Sequence, residues 1–166
     1  MLYEVSVQQR EISDTATVLT VMFDQYRRSH HAYTAEEITT LLDHVVTEST
    51  EGNRTTLVTV WDRPARSHHD DGQPEYPPAY LRVAVDPDTG WGAMTWIDLT
   101  AGEVLDTFDP TEPDDRPALV FAADEPSYLP NSASLPLERI RRALYEYAET
   151  GTRPTTVRWQ QGYLVL

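Results

Sequence analysis

The 166 residues carry 27 Asp and Glu against 13 basic residues, every one of them Arg, for a formal net charge of −14, and the chain has no Cys. Such a charge repels phosphate backbones and anionic headgroups, which excludes nucleic acid and membrane surfaces as partners and favours a basic one. Without Cys there are no disulfides, thiolate metal sites or cysteine nucleophile, and without Lys there is no Schiff-base chemistry and no P-loop.

The length predicts one domain over residues 1–166, and a hydrophobic fraction of 40% suffices for a core. Met1 to Val5 lacks a basic start followed by an apolar run, so no secretory leader is expected and the chain reads as cytoplasmic. Leu2 to Gln8 and Thr17 to Phe23 are β-branched and aromatic enough for strands. A helix follows Thr34-Ala35-Glu36-Glu37, a capping box with Tyr33 and Ile38 in staple positions. Ile38, Leu41, Leu42, Val45 and Val46 then form one apolar stripe, and Glu51-Gly52-Asn53 ends the helix.

From there the period is two. Thr55 to Trp61, Tyr80 to Val85, Trp91 to Ile97 and Glu103 to Phe108 read as strands, the last three as an antiparallel meander with turns at Asp86–Gly90 and Leu99–Gly102. Ala118 to Ala122 is a short apolar strand. A second helix begins near Ser134-Leu135-Pro136, with proline in its first turn. Leu137, Ile140, Leu144, Tyr147 and Ala148 are its buried stripe, and Gly151 its stop. Thr156 to Gln160 and Tyr163 to Val165 supply the closing strands. Two proline-rich loops remain, Asp62 to Pro78 and Asp109 to Pro117, and loops of such length are functional or disordered.

Catalytic signals are weak. Four of the five His come as pairs, His30-His31 and His68-His69, the latter followed by Asp70-Asp71. Imidazole and carboxylate suit zinc or manganese, but adjacent residues of an extended chain point opposite ways and no HExxH spacing is present. His44 lies among apolar helix positions and reads as a packing or surface residue. There is no GxSxG, GxxxxGK[ST] or GxGxxG. Charge is more informative. Residues 101–125 hold eight acids and one base, Arg116, which is half the net excess. The candidate docking residues are therefore Asp86, Asp88, Trp91, Asp106, Asp109, Glu112, Asp114 and Asp115. Trp91 and Trp96 are five apart on one strand, so one faces the core and the other is available as an anchor.

The run Leu135-Pro136-Leu137-Glu138-Arg139-Ile140-Arg141-Arg142-Ala143-Leu144, then Tyr147, Thr150-Gly151-Thr152-Arg153-Pro154 and Val157-Arg158-Trp159-Gln160, resembles the close of the Imm-one family of bacterial immunity proteins. The family pattern is a helix opening with Leu-Pro, a Thr-Gly-x-Arg-Pro turn and a Val-x-Trp strand. The resemblance extends over residues 30–161, with a Leu-x-Val strand and an aromatic-rich strand in the middle. Thr156 stands where many members have a small residue or Cys. Residues 1–28, read as an N-terminal extension, and the 62–78 loop align to nothing. Leu135, Pro136, Gly151, Arg153, Pro154 and Trp159 are the scaffold motif: Gly151 stops the helix, Arg153 and Pro154 set an extended exit, and Trp159 returns onto the sheet.

The elements read along the chain make an α+β fold, mainly an antiparallel sheet of about five to seven strands with a central meander and two principal helices packed on it. The resemblance implies a non-enzymatic, cofactor-free protein of the kind found especially in actinobacteria. Such a protein binds and neutralises a cognate polymorphic toxin of deaminase-like type, and the candidate docking residues would fill the toxin's basic cleft. A small metal-dependent hydrolase using His68 and His69, and a non-inhibitory acidic adaptor, are the alternatives.

Overall fold

Alternation of apolar and polar residues between Thr56 and Phe108 gives each strand one face to bury, and the chain runs to and fro to do so. The computed structural model describes residues 17–23, 28–47, 55–111, 115–122 and 127–162. In chain order the elements are β1 (Val18–Phe23), β2 (Ser29–Ala32), α1 (Ala35–Thr47), β3 (Thr56–Trp61), β4 (Ala79–Asp86), β5 (Trp91–Asp98) and β6 (Glu103–Phe108). There follow β7 (Val120–Ala122), β8 (Ser127–Tyr128), a 3-10 turn (Asn131–Ala133), β9 (Leu135–Pro136), α2 (Leu137–Thr150) and β10 (Arg158–Gln161). The main antiparallel sheet has the order β10-β6-β5-β4-β3-β1-β2, with β9 pairing β5, while β7 and β8 pair with each other. The α+β architecture with its meander β4-β5-β6 is as the sequence indicates. The unforeseen strands β2, β8 and β9 are four residues or fewer. Leu2 to Gln8, Tyr163 to Val165 and the helix stop at Glu51-Gly52-Asn53 lie outside the described residues. Within 1–28, β1 is an inner strand, paired on both sides.

Both helices lie on one face of the sheet. Leu42, Val45 and Val46 of α1 and Ile140, Ala143, Leu144 and Tyr147 of α2 pack on Leu19, Val21, Val58, Leu81, Val83, Met94 and Trp96. At roughly 1.5–3 kcal/mol for each large aliphatic side chain removed from water, this layer dominates the fold's stability. An ion pair joins the two helices, Arg141 Nη2 to Asp43 Oδ1 at 2.6 Å, and the Tyr145 hydroxyl donates to the same oxygen. The opposite face is covered by residues after β6, where Leu119, Leu129 and Ala133 pack on Ala84 and Ala93.

The helix ends follow local chemistry. Glu37 N–H donates to Thr34 Oγ1 at 3.1 Å, and the Glu37 carboxylate accepts the amides of Thr34 and Tyr33, which completes the capping box. Tyr33 is 52% exposed. Pro136 is one residue earlier than the sequence indicates. It precedes α2 at φ −54°, ψ 140°, held extended by its pairing with Trp91, and helical hydrogen bonding starts only after it. Gly151 ends α2 at φ 67°, a left-handed conformation in which its N–H reaches Tyr147 O at 2.8 Å.

The 62–78 loop is folded onto the sheet. Ala65 is fully buried and its N–H donates to Thr20 Oγ1 at 3.1 Å. Arg66 and Glu75 exchange backbone hydrogen bonds at 2.8 and 3.0 Å, and Glu75 accepts ion pairs from Arg63 and Arg66. Asp70 accepts the amide and hydroxyl of Ser29 and the amide of Ser67. Thus the amide of Ser29, the first residue of β2, and that of Tyr33, the residue after it, are taken by Asp70 and Glu37.

Candidate functional site

The β4–β5 turn gathers some of the candidate docking residues at one end of the sheet. Gly90 N–H donates to Asp86 O at 2.9 Å and Thr89 N–H to Asp86 Oδ1 at 3.4 Å, which shapes the turn. Asp88 at its tip is exposed. Leu137 N–H donates to Gly90 O at 3.0 Å, which ties the start of α2 to the turn. Trp91 is half-buried opposite Asp86 and Pro136, while Trp96 lies in the core with its ring edge-on to Tyr147 at 6.0 Å. Of the two tryptophans, the one beside the acidic turn is the one that reaches solvent.

Two expectations need correction. Asp106 is 1% exposed and accepts a hydrogen bond from Thr95 Oγ1 at 2.7 Å, its partner across β5 and β6, so it faces the protein interior. Asp109 is 8% exposed and accepts the amide and hydroxyl of Thr111 at 2.8 and 2.6 Å, and a guanidinium N–H of Arg139. The Thr111 hydroxyl is the largest influence on Asp109. With the Thr111 amide and Arg139 it outweighs burial and holds the carboxyl at about 2. Neither residue presents a free charge to a partner. Glu103 of the same acidic stretch is paired with Arg153 at 2.7 Å. Arg116, the stretch's single base, is 5% exposed, and its Nη1 donates to Ser134 O at 3.1 Å. Asp115 is exposed, and Glu112 and Asp114 lie outside the described residues. The charge that reaches solvent among the described candidates is therefore smaller than the sequence count: Asp86 is half-buried and Asp88 and Asp115 are exposed.

The C-terminal motif is built as scaffold. Leu135 is fully buried beside Gly92, Pro154 is buried, and the Trp159 indole donates to Pro154 O at 2.8 Å while its ring packs on the core. One residue that sequence reasoning passed over holds this exit in place. Glu146 accepts the amide and hydroxyl of Thr155 and the amide of Thr156, at 2.6–3.0 Å. Burial raises the Glu146 carboxyl, but these donors overcome it and bring it to about 2. Thr156, the departure from the family pattern, contributes its amide to this clamp, and its side chain also lowers the Glu146 carboxyl.

His68 and His69 are exposed on the turn of the 62–78 loop, and the neighbouring Asp70 carboxylate is occupied in pinning that loop. Among the described residues no group of three His, Cys, Asp or Glu side chains is placed to hold a metal ion. No described helix is long and apolar enough to cross a membrane.

A comparison with curated proteins returned no match. The family description "Immunity protein Imm1" matches residues 27–161, which contain both helices, the acidic turn and the whole scaffold motif. On the strength of that match over most of its length, the chain belongs to the Imm1 family of immunity proteins, which act against toxins.

Proposed function

We propose that this immunity protein binds a polymorphic toxin domain acting on nucleic acids, of deaminase-like type, and blocks its active site by occupancy and without catalysis. A toxin that handles nucleic acid needs a basic cleft. The acidic β4–β5 turn, with half-buried Asp86 and exposed Asp88 beside the half-buried Trp91, offers such a cleft phosphate-like charge and an aromatic anchor, and Asp115 adds a further exposed carboxylate. Glu112 and Asp114 extend this set in sequence. The observation that supports this reading best is the solvent-reaching carboxylates of the β4–β5 turn, Asp86 and Asp88, next to Trp91 in a family member of net charge −14. The partner resides in the cytoplasm with it, where self-intoxication would occur.

The test is a triple reversal, Asp86→Arg, Asp88→Arg and Asp115→Arg. Asp109 is left intact because its reversal would break the Arg139 contact and confound folding with binding. Affinity for the toxin domain encoded in the adjacent reading frame should fall, its salt dependence should flatten, and growth rescue on co-expression should be lost. Unchanged affinity and salt dependence would end the electrostatic account. Binding without rescue by the unaltered protein would make it an adaptor.

A further inference from the structure

The two edge strands of the main sheet, β2 and β10, are finished differently. At the two ends of β2 the amides of Ser29 and Tyr33 are taken by the Asp70 and Glu37 carboxylates, so a strand laid along it meets negative charge where it needs free donors. At β10 the main chain is open. Gly162 N–H donates to Val104 O at 2.8 Å, and Gln161 is in register with Leu105. The alternation of an antiparallel ladder then turns the amides and carbonyls of Arg158 and Gln160 toward β6, and those of Trp159 and Gln161 outward. Neither outward residue has a main-chain partner among the described residues. The strand itself, Arg158–Gln161, carries no proline and no acid to discourage pairing.

Charge decides what can lie there. The molecule carries −14, but at physiological ionic strength charges act over about 8 Å, so the groups beside the edge are the ones that count. The two acids of β6 are spent: Glu103 pairs with Arg153 at 2.7 Å, and Asp106 is buried against Thr95. Asp109, just beyond β6, holds Arg139, and Glu146 is filled by Thr155 and Thr156 at the entry to β10. The charge on β10 itself is the exposed Arg158, its guanidinium 5.7 Å from the Phe108 ring. A basic partner gains nothing from such an edge. A second copy of the chain fits it. Laid antiparallel about a twofold axis at Gln160, two copies of β10 set Trp159 opposite Gln161 of the second copy, where their free amides and carbonyls exchange hydrogen bonds. Arg158 then stands opposite Gly162, which has no side chain to meet it. Trp159 is half-buried, its indole N–H already bonded to Pro154 O, and the facing Gln161 covers what remains of the ring.

We infer that the β10 edge is a self-association surface, on which two copies of this chain join into one continuous sheet by antiparallel β10–β10 pairing. The contact is isologous and closes at two copies, and the guarded β2 edges at the far ends of the joined sheet oppose growth into a filament. A pairing of two four-residue strands is a small interface, so the dimer forms at high concentration and dissociates on dilution.

The experiment compares the unaltered protein with Gln161→Pro and Gln161→Thr by sedimentation and amide exchange, at about 5 µM and about 500 µM. The Gln161 N–H makes no bond to β6, so proline removes only the outward donor and sets its ring in the path of the second strand. Threonine keeps the donor and suits a strand. The unaltered protein and Gln161→Thr should pass from monomer to dimer over this range, and the amides at positions 159 and 161 should exchange about threefold or more slowly at the higher concentration. Gln161→Pro should remain a monomer at both concentrations with an unchanged melting temperature. A dimer that persists in a folded Gln161→Pro, species larger than a dimer, or an unaltered protein that stays monomeric would overturn the inference. If Gln161→Pro melts early, exchange in the unaltered protein decides, and protection at positions 159 and 161 that does not grow with concentration would overturn it. A monomeric protein whose affinity for the toxin domain of the adjacent reading frame falls in Gln161→Pro would assign the edge to the toxin and remove the self-association reading, leaving the immunity reading in place.

Discussion

Tyr147→Phe isolates one buried hydrogen bond. Tyr147 is fully buried in α2, and its hydroxyl accepts the Val60 amide at 3.1 Å. The β3–β4 ladder registers only Thr56 to Val58, so β4 offers Val60 no partner and the side chain supplies one instead. Burial pushes the phenol upward, with the Val60 amide a smaller opposing influence, so the acceptor is neutral at any working pH. Phenylalanine keeps the ring and its edge-on contact with Trp96, and removes only the oxygen. The cost is that of an orphaned buried amide, about 1–3 kcal/mol. Removing the ring as well, in Tyr147→Ala, should cost about 3–5 kcal/mol. Urea unfolding followed by tryptophan fluorescence should show the Tyr147→Phe midpoint lowered by about 1 M with the slope unchanged, for a slope of about 1–3 kcal/mol/M. Amide exchange should show the Val60 proton losing protection ahead of its neighbours. A stability within about 0.5 kcal/mol of the unaltered protein, with Val60 as protected as before, would show that the hydroxyl is dispensable and refute the reasoning.

Two further outcomes follow from packing and charge. Gly92→Val should destabilise by about 1–3 kcal/mol in thermal or urea unfolding, because the backbone of β5 runs directly beneath α2. A Cβ there would stand 3.0 Å from both Ile140 Cγ1 and Leu137 Cδ2 and 3.3 Å from Ala84 O. Stability should also fall as pH drops from about 4 toward 2, where carboxyls with ordinary unfolded values protonate. Asp70, Asp109 and Glu146 are each held at about 2 in the folded protein. Their contribution is therefore fully present above the unfolded carboxylate range and lost as pH approaches 2. Asp109→Asn with Glu146→Gln should lower stability at neutral pH and flatten this acid limb, and melting curves from neutral pH down to acid would show whether it does.

Much of the framework was legible in the sequence because it is written in local periods. The α1 stripe, the α2 stripe and the meander each announce themselves within one element. Thr34 and Glu37 are three apart, so their reciprocal cap is also local. β2 was not legible. Ser29-His30-His31-Ala32 has no alternation of apolar residues, and what makes it a strand is its register with β1. The candidate site was read with similar unevenness. Trp91 and Trp96 separate as strand geometry requires. The burial of Asp106 and Asp109 depends on Thr95 and Arg139, 11 and 30 residues away, and no local pattern signals such partners. The approach of the His68-His69 turn to β2 is hidden for the same reason, since it depends on a loop pin between Asp70 and Ser29, 41 residues apart.

The acceptors of the Ser29 and Tyr33 amides, at the two ends of β2, bear on how the protein behaves when crowded. An unguarded terminal strand is a template on which further copies, or any half-folded chain, can grow. Here the guard is borrowed from parts with other duties: Glu37 belongs to a helix cap and Asp70 to a loop anchor. Damage to either, as in Glu37→Ala or Asp70→Ala, would therefore surface less as unfolding than as association into higher-order species at high concentration. Sedimentation and light scattering would reveal that fault where a melting curve, taken on dilute protein, would record only a modest loss.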